Sequence, residues 1–552
     1  MSHLPDPILL FVVALPAVVA LALVTIGFVQ TFTGMTPLPE RVWRGVGLGT
    51  GFATFALTLV GVAWRFDPEA IGVQFVTGVG GALATEPRIL LGVDGIGLCF
   101  VLATAGLAPL AILASRPDSA DSVRSWIFVV LMLESSLLGT LTSLNLHAFL
   151  FFWAQTLLPI LHWLGRWGGE DRGRMATRVW VTESVGLAGL LFVAFALAEM
   201  SEAQLGHAGL DLIDAPNAAA AIGTAIASPG TLLDLRIAAS DQRWLFGILV
   251  VALVTRLPLV PLHFWLPGAH ATSPTGLSIL LATGFAQTAA IGLLRFALPL
   301  FPEAALEARP ILALVGIAAL GYASLVALVQ KELNRLIAYT SIGHAGFAMF
   351  GIATMNVQGL TGAVVQLLTH GLATAGIFVM IGALALRRGT TEVAAFGGLA
   401  RPMPVCAAFF GLMVFSLMGF PLLGGFIGDL FVLLGSLDLS RELSVAALAA
   451  MGVAAAYLLW VQRRVFFGPV EEPANRGLID LDRTERAMLL AIAIPILAIG
   501  VYPNPLLRRV EPAVLEILHQ MGRVSLPESE IVPVVDGASR SAIASAGSEE
   551  PG

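Results

Sequence analysis

Charge is the first thing this sequence lacks. Only 12% of its 552 residues are Asp, Glu, Lys or Arg, against about 25% in a soluble domain. With 57% hydrophobic residues and a mean hydropathy of +0.87, it reads as an all-α integral membrane protein. Lysine is nearly missing, Lys331 being the one example. There is no basic block and the net charge is −7, which argues against nucleic acid as a partner. Cysteine is scarce as well. Cys99 and Cys406 both fall in apolar runs, so neither a disulfide framework nor a thiolate metal site is expected. No phosphate loop, dinucleotide fingerprint, CxxC or HExxH occurs. No cofactor and no catalytic site are therefore expected in this chain, and any redox chemistry belongs to partner subunits. The first apolar run, 7–30, has no charged segment before it and reads as a span rather than a cleaved signal.

What the sequence has is long apolar runs. A bilayer core takes about 20 apolar residues per helix. On that measure spans are expected at 7–30, 45–64, 89–115, 126–143, 146–165, 178–199, 243–265, 277–299, 310–330, 336–354, 360–386, 403–436, 444–466 and 486–502. That makes fourteen. Loop charge supports the count. One alternating set of loops holds eighteen Lys and Arg, whereas the other holds only Arg65, Arg88, Arg236, Arg243, Arg309 and Arg441. By the positive-inside rule the richer set is cytoplasmic, so both termini are expected on the outer, periplasmic side of a bacterial-type inner membrane.

Two spans are broken in an informative way. The stretch 255–296 places Pro258, Pro261 and Pro267 inside a membrane-length run that also carries Arg256, His263 and His270. The twelfth span meets Pro421, followed by Gly424, Gly425 and Gly428. Proline breaks a helix, and broken backbone at membrane depth survives only when buried in protein or lining a wet cavity. Ionisable groups at that depth are costly and usually functional. The breaks fall at the fourth member of spans four to eight and of spans nine to thirteen, the pattern of an inverted-repeat transporter. The organisation expected is an N-terminal three-helix region over 1–125, a first five-helix repeat over 126–299 and a second over 300–466. A last helix and amphipathic segment follow over 467–523, then a disordered tail over 524–552. Asp94 and Gly95 read as turn geometry at the start of the third span.

At this point several motifs are specific. LLGVDGIGL (90–98), FLFFWAQTLLP (149–159), RLPLVPLHFWLPGAHATSPTGLSILLA (256–282) and ALVQKELNRLIAYTSIGHAGF (327–347) stand beside LTGAVVQLLTHGL (360–372), FGGLARPMP (396–404), GFPLLGGFIGDL (419–430) and FFGP (466–469). Over roughly 85–505 the chain resembles the antiporter-like membrane subunits of respiratory complex I, of the subunit M (ND4) type. The resemblance implies fourteen helices, two inverted five-helix repeats and a polar axis along the membrane midplane. It also implies work as a proton-translocating module beside other membrane subunits in the lipid bilayer, with quinone-reducing subunits at a distance. Related modules occur in Mrp-type cation/proton antiporters, membrane-bound hydrogenases and inorganic-carbon uptake complexes.

The departures from that pattern matter chemically. Ala154 stands where the family's proton-carrying members have a glutamate, Arg256 where they have a lysine, and Gln287 where they have another lysine. Lysine can lose and regain a proton when buried; arginine cannot be deprotonated and glutamine does not titrate. The first half-channel therefore reads as degenerate. Arg256 needs a counter-charge, and Glu134 is the expected partner with Glu183 as the alternative. His344 and His370 match the family's midchain histidines and suit a proton relay. Asp429 matches the twelfth-span site; the competing reading is a carboxylate capping a helix that restarts after Gly428. Lys331, with Glu332 and Arg335, divides between interfacial anchoring and cytoplasmic relay, and His263 and His270 read as loop packing or as entry-funnel groups. The proton pathway expected is Glu134, Arg256, Lys331, His344, His370 and Asp429. Two other readings stand beside it: a non-pumping structural module, and the proton-conducting partner of an inorganic-carbon uptake complex or cation/proton antiporter.

Overall fold

The computed structural model describes residues 7–34, 38–79, 88–115, 120–167, 172–213, 230–470 and 472–522; the tail expected over 524–552 lies outside them. Among the described residues twelve helices are long and apolar enough to cross a membrane. In order, the first six spans are Ile8–Thr33, Glu40–Ala56 continued by a wide turn Leu57–Ala63, Gly95–Ala114, Ala120–Thr142, Leu146–Trp167 and Arg172–Leu205. The eighth to eleventh are Thr275–Leu300, Pro302–Ala327, Leu333–Ala353 and Val357–Arg388; the thirteenth and fourteenth are Arg441–Phe466 and Arg483–Val501. The two expected spans missing from that count are the broken ones. The seventh is a 16-residue helix Ala239–Val254 followed by short turns Leu262–Trp265 and Leu266–Thr272. The twelfth is split into Pro404–Leu417 and Gly424–Ser436.

Proline sets each break by one rule. Its missing N–H and its ring act on the carbonyl four residues back. The seventh helix ends at Val254, four before Pro258, and the first half of the twelfth ends at Leu417, four before Pro421. The fifth span carries a third, unexpected interruption: its first half ends at Gln155, four before Pro159. Freed backbone groups then find other partners. Trp265 Nε1 donates to Thr255 O at 3.0 Å, so the carbonyl next to Arg256 is satisfied without a helix.

The restart of the twelfth span depends on a side chain that is absent. Gly425 lies against Ser416 O so closely that a Cβ there would overlap it. We expect Gly425→Ala to destabilise the chain by about 1–3 kcal/mol, read as an earlier thermal melt of the solubilised protein; an unchanged melt would mean the two half-helices are not locked together.

Burial sorts the spans. In the third, fourth, eighth, tenth and eleventh, 83–94% of the most apolar window is buried inside the protein, against 33–50% in the other seven long helices. The first group forms a central layer and the second faces outward, where apolar side chains such as Phe11, Phe195, Leu314 and Val445 are exposed. One expectation is corrected. Residues 89–93 do not begin the third helix. They form strand β2, Ile89–Val93, paired antiparallel with β1, Gln74–Val79. The helix starts at Gly95, and Asp94 caps it by accepting from Gly97 N at 2.6 Å. A last amphipathic helix, Asn504–Gln520, packs on the third and eleventh spans.

Candidate functional site

The protein interior holds the charged and polar side chains that the sequence placed in oil. Arg256 has no exposure, and Glu183 of the sixth span has 1%. Arg256 Nε and Nη2 both reach Glu183 Oε2 at 2.8 Å. Nη2 also donates to Trp153 O at 2.8 Å and to Thr156 Oγ1. Those acceptors are available because the fifth helix is interrupted at Thr156. The guanidinium stacks on the Trp153 ring, 3.6 Å from its centroid, with Phe285 on another side at 5.0 Å. The partner expected first, Glu134, does not fill this place. It is buried in the fourth span, and both carboxylate oxygens lack a hydrogen-bond partner among the described residues. The sixth span wins because Arg256 follows directly on the end of the seventh helix, which packs along the sixth.

Gln287 lies in the eighth span between two wide turns, Leu281–Phe285 and Gly292–Ala297. Such turns are rare and gather at functional sites. Both its amide atoms are buried without a partner among the described residues. The first wide turn packs on the eleventh span, where Thr283 lies against Gly371. The two halves of the molecule meet there. A cavity of about 20 Å³ has Arg256 on one wall and His370 and Ser341 on the other. That is room for about one water.

His344 and His370 stack with ring centroids 4.5 Å apart. Gln366 Nε2 lies 2.6 Å from His344 Nδ1. With the amide donating, the neutral ring carries its proton on Nε2, an atom with no protein partner among the described residues. His370 bonds Thr374 at 3.3 Å through Nε2, and its Nδ1 is likewise unpartnered. The backbone of Gln366 lies against Gly428, the neighbour of Asp429. Asp429 is 4% exposed, and its Oδ2 lies against Gly419 in the break and has no partner. The capping alternative fails on register: the half-helix begins at Gly424, with Leu423 at its N-cap, so Asp429 sits in the second turn.

The remaining expected residues lie apart from this row. Lys331 is exposed in the turn between the ninth and tenth spans, and Glu332 beside it pairs with Arg335 at 3.1 Å. His263 lines a cavity of about 400 Å³ at that same end, with Arg174, Arg178, Arg335, Tyr322 and Tyr339. His270 stacks on Phe378 at 4.6 Å. Ala154 leaves no acid in the fifth span. Sequence reasoning missed Gln366, although it stands one turn before His370 on the same helix face. It had no signal for Trp153 O or Thr156, which matter through backbone geometry.

Buried polar atoms are almost always hydrogen-bonded to protein or ordered water. Glu134, Arg256 Nη1, Gln287, His370 Nδ1, His344 Nε2 and Asp429 Oδ2 have no protein partner among the described residues, so these groups call for water. Alternating titratable groups and water are what proton transfer through a membrane interior requires.

The NADH:quinone oxidoreductase/Mrp antiporter transmembrane family matches residues 143–455. NADH-quinone oxidoreductase subunit M of Rhodobacter capsulatus is 32% identical over 486 residues, which is 88% of this chain and 92% of that protein. NADH-ubiquinone oxidoreductase chain 4 of Marchantia polymorpha is 30% identical over 481 residues, 87% and 92% of the two chains. Among solved structures, a chain of respiratory complex I from Thermus thermophilus with bound NADH superposes with a TM-score of 0.78 at 25% identity. It covers 93% of this chain and 100% of its own. A chain of the Mrp complex from Dietzia sp. reaches a TM-score of 0.75 at 19% identity, over 94% and 100%, a likeness of fold.

Proposed function

The chain belongs to the NADH:quinone oxidoreductase/Mrp antiporter transmembrane family, and from that premise we propose that it is a proton-conducting membrane subunit of a complex I-type assembly. The observation that carries the reading is the buried row from Arg256 through the water-sized cavity to His370, His344 and Gln366, whose backbone lies against Gly428 beside Asp429. In the second half every junction involves a group that can take or give a proton or orient a water. The first half has Gln287 in place of a titratable base, and Arg256 is held by Glu183, Trp153 and Thr156. It therefore serves as a fixed positive charge bordering the cavity rather than as a proton carrier. Both termini lie on the outer side in this proposal, because that places the arginine-rich loops in the cytoplasm. Its partners are other membrane subunits of the complex, and the chemistry that drives it takes place outside this chain.

One specific observation favours a second reading, a non-pumping structural module: the fully buried Arg256–Glu183 pair, with Trp153 O as a further acceptor, is what a static helix clamp looks like. The two readings part in reconstituted whole complexes carrying His344→Ala or His370→Ala. As a relay, each histidine should account for about 10²-fold in this subunit's proton flux, with quinone reduction still measurable. Native pumping stoichiometry in both variants would leave the scaffold.

A further inference from the structure

A second polar cavity lies away from the midplane row. It encloses about 70 Å³ between the third span, the eighth span and the last amphipathic helix. Arg295 and Asp94 form one wall. Arg295 is 8% exposed, pairs with Asp94 Oδ2 at 2.7 Å through Nη2, and donates through Nη1 to Leu141 O and Ser143 O at 3.0 and 2.9 Å. Its Nε is buried with no partner among the described residues. Glu516 of the amphipathic helix forms the facing wall. Its Oε1 accepts from Gln520 Nε2 at 2.8 Å, and its Oε2 is buried without a partner among the described residues. The volume suits a few waters, and orphaned atoms on both walls call for them.

The position of this cavity is what gives it meaning. Ile291, Leu294 and Arg295 line it from the eighth span, one and two turns beyond Gln287. At 1.5 Å per residue, Arg295 lies about 12 Å along the helix from Gln287. Ile291 and Leu294 give the eighth-span wall of the cavity its apolar part. On the far side the half-buried Glu516 and Gln520 lead to the surface that carries the β1–β2 hairpin. The other walls are Gly72 and Val73 before the hairpin and Leu212, Ile213 and Leu233 from the loops, none of which titrates. Asp94 and Arg295 are thus the charged groups facing Glu516, and they are already committed to each other.

We propose that Glu516 is the outer-side proton-release group of this subunit, taking a proton from water in this cavity, beside the fixed Arg295–Asp94 ion pair, and passing it to the outer solution. The inference rests on the proton-conducting reading and its orientation. In the transfer, Glu516 Oε2 gains a proton from a protonated water of the cavity and loses it to a water outside, so no bond but O–H changes. Burial away from water pushes its carboxyl up to about 7, where it exchanges protons at ordinary outer pH.

The test uses the whole complex in proteoliposomes with the outer face turned to the lumen. This subunit's share of the flux is the part lost on Asp429→Asn. At lumen pH 8 Glu516 is mostly ionised and able to accept. At pH 6 only about one in ten is, so that share should fall about tenfold between them. Glu516→Gln, fixed in the neutral form, should hold the share at the low value at both pH settings, while Glu516→Asp restores the dependence. A Glu516→Gln complex with native flux and a native lumen-pH profile overturns the inference. If Asp429→Asn removes no flux, it is the conducting role itself that has failed.

Discussion

Replacing Glu183 by glutamine is expected to cost about 3–5 kcal/mol of stability, enough to deplete the assembled protein. The reason is asymmetry. A buried lysine can shed its proton when its partner is removed, but Arg256 stays charged at any pH a cell reaches. It is fully enclosed, with the Trp153 ring 3.6 Å from the guanidinium. With the side chain fully buried, an uncompensated cation would remain among Trp153, Phe285 and Trp265. Removing both charges is a different experiment. A buried pair replaced by apolar residues of similar volume is often neutral or stabilising, so Arg256→Met with Glu183→Met should melt near the native temperature. The measurement is the thermal melt of the solubilised complex for the single and double variants. A single variant that melts like the native protein would mean the charge has a second, unseen partner. The double variant also speaks to function: a native pumping ratio would make the pair a clamp, and a reduced one would show that the fixed charge sets the energy of the proton near His370.

The second large effect is expected at Asp429. Asparagine matches its shape and carries no exchangeable acid proton, so Asp429→Asn should lower this subunit's proton flux by about 10²-fold or more. The fold should survive. The Oδ2 atom has no partner to lose, and the break around it is held by Gly425 against Ser416 and by Gly428 against Gln366. Stability is therefore expected within about 0.5 kcal/mol of native. Proton uptake and quinone reduction measured on one preparation separate the two effects. Lost flux with an unchanged melt assigns Asp429 to the pathway, whereas unchanged flux removes it. Its place explains the sensitivity. Asp429 stands beside the break, next to the glycine that touches Gln366, and Gln366 contacts His344, so it closes the row at one end.

The two broken spans thus differ in chemistry. Both breaks follow proline by the same offset, yet one is flanked by an arginine that cannot titrate and the other by an aspartate that can. Gln287 between its wide turns fits a position that can orient water but not carry charge. The second half keeps His344 stacked on His370, with Asp429 one residue from the Gly428–Gln366 contact. In the proposed pathway the junction is the cavity that Arg256 and His370 both line.

Composition and run length alone determined that this chain is a membrane protein with fourteen spans, and the prolines with their neighbours marked the seventh and twelfth as broken. Those readings are local: a run of apolar residues has few alternatives to a buried helix, and proline acts on the carbonyl one turn away wherever it occurs. The identity of Arg256, Gln287 and Ala154 likewise spoke for itself, because arginine, glutamine and alanine cannot do a lysine's or glutamate's work in any fold. Partnership was another matter. The linear chain pointed to Glu134 before Glu183, and the packing of the sixth span along the seventh chose Glu183. The 4.5 Å stack of His344 on His370, the Gln366 bridge and the pairing of Arg295 with Asp94 across two hundred residues of sequence also came from tertiary structure. So did strand β2, where an apolar run read as helix: Ile89–Val93 finds Gln74–Val79 as a neighbour, and the alternative partner is invisible from within the run. Which charges meet in a low-dielectric interior is decided by how helices pack, and no local pattern carries that information.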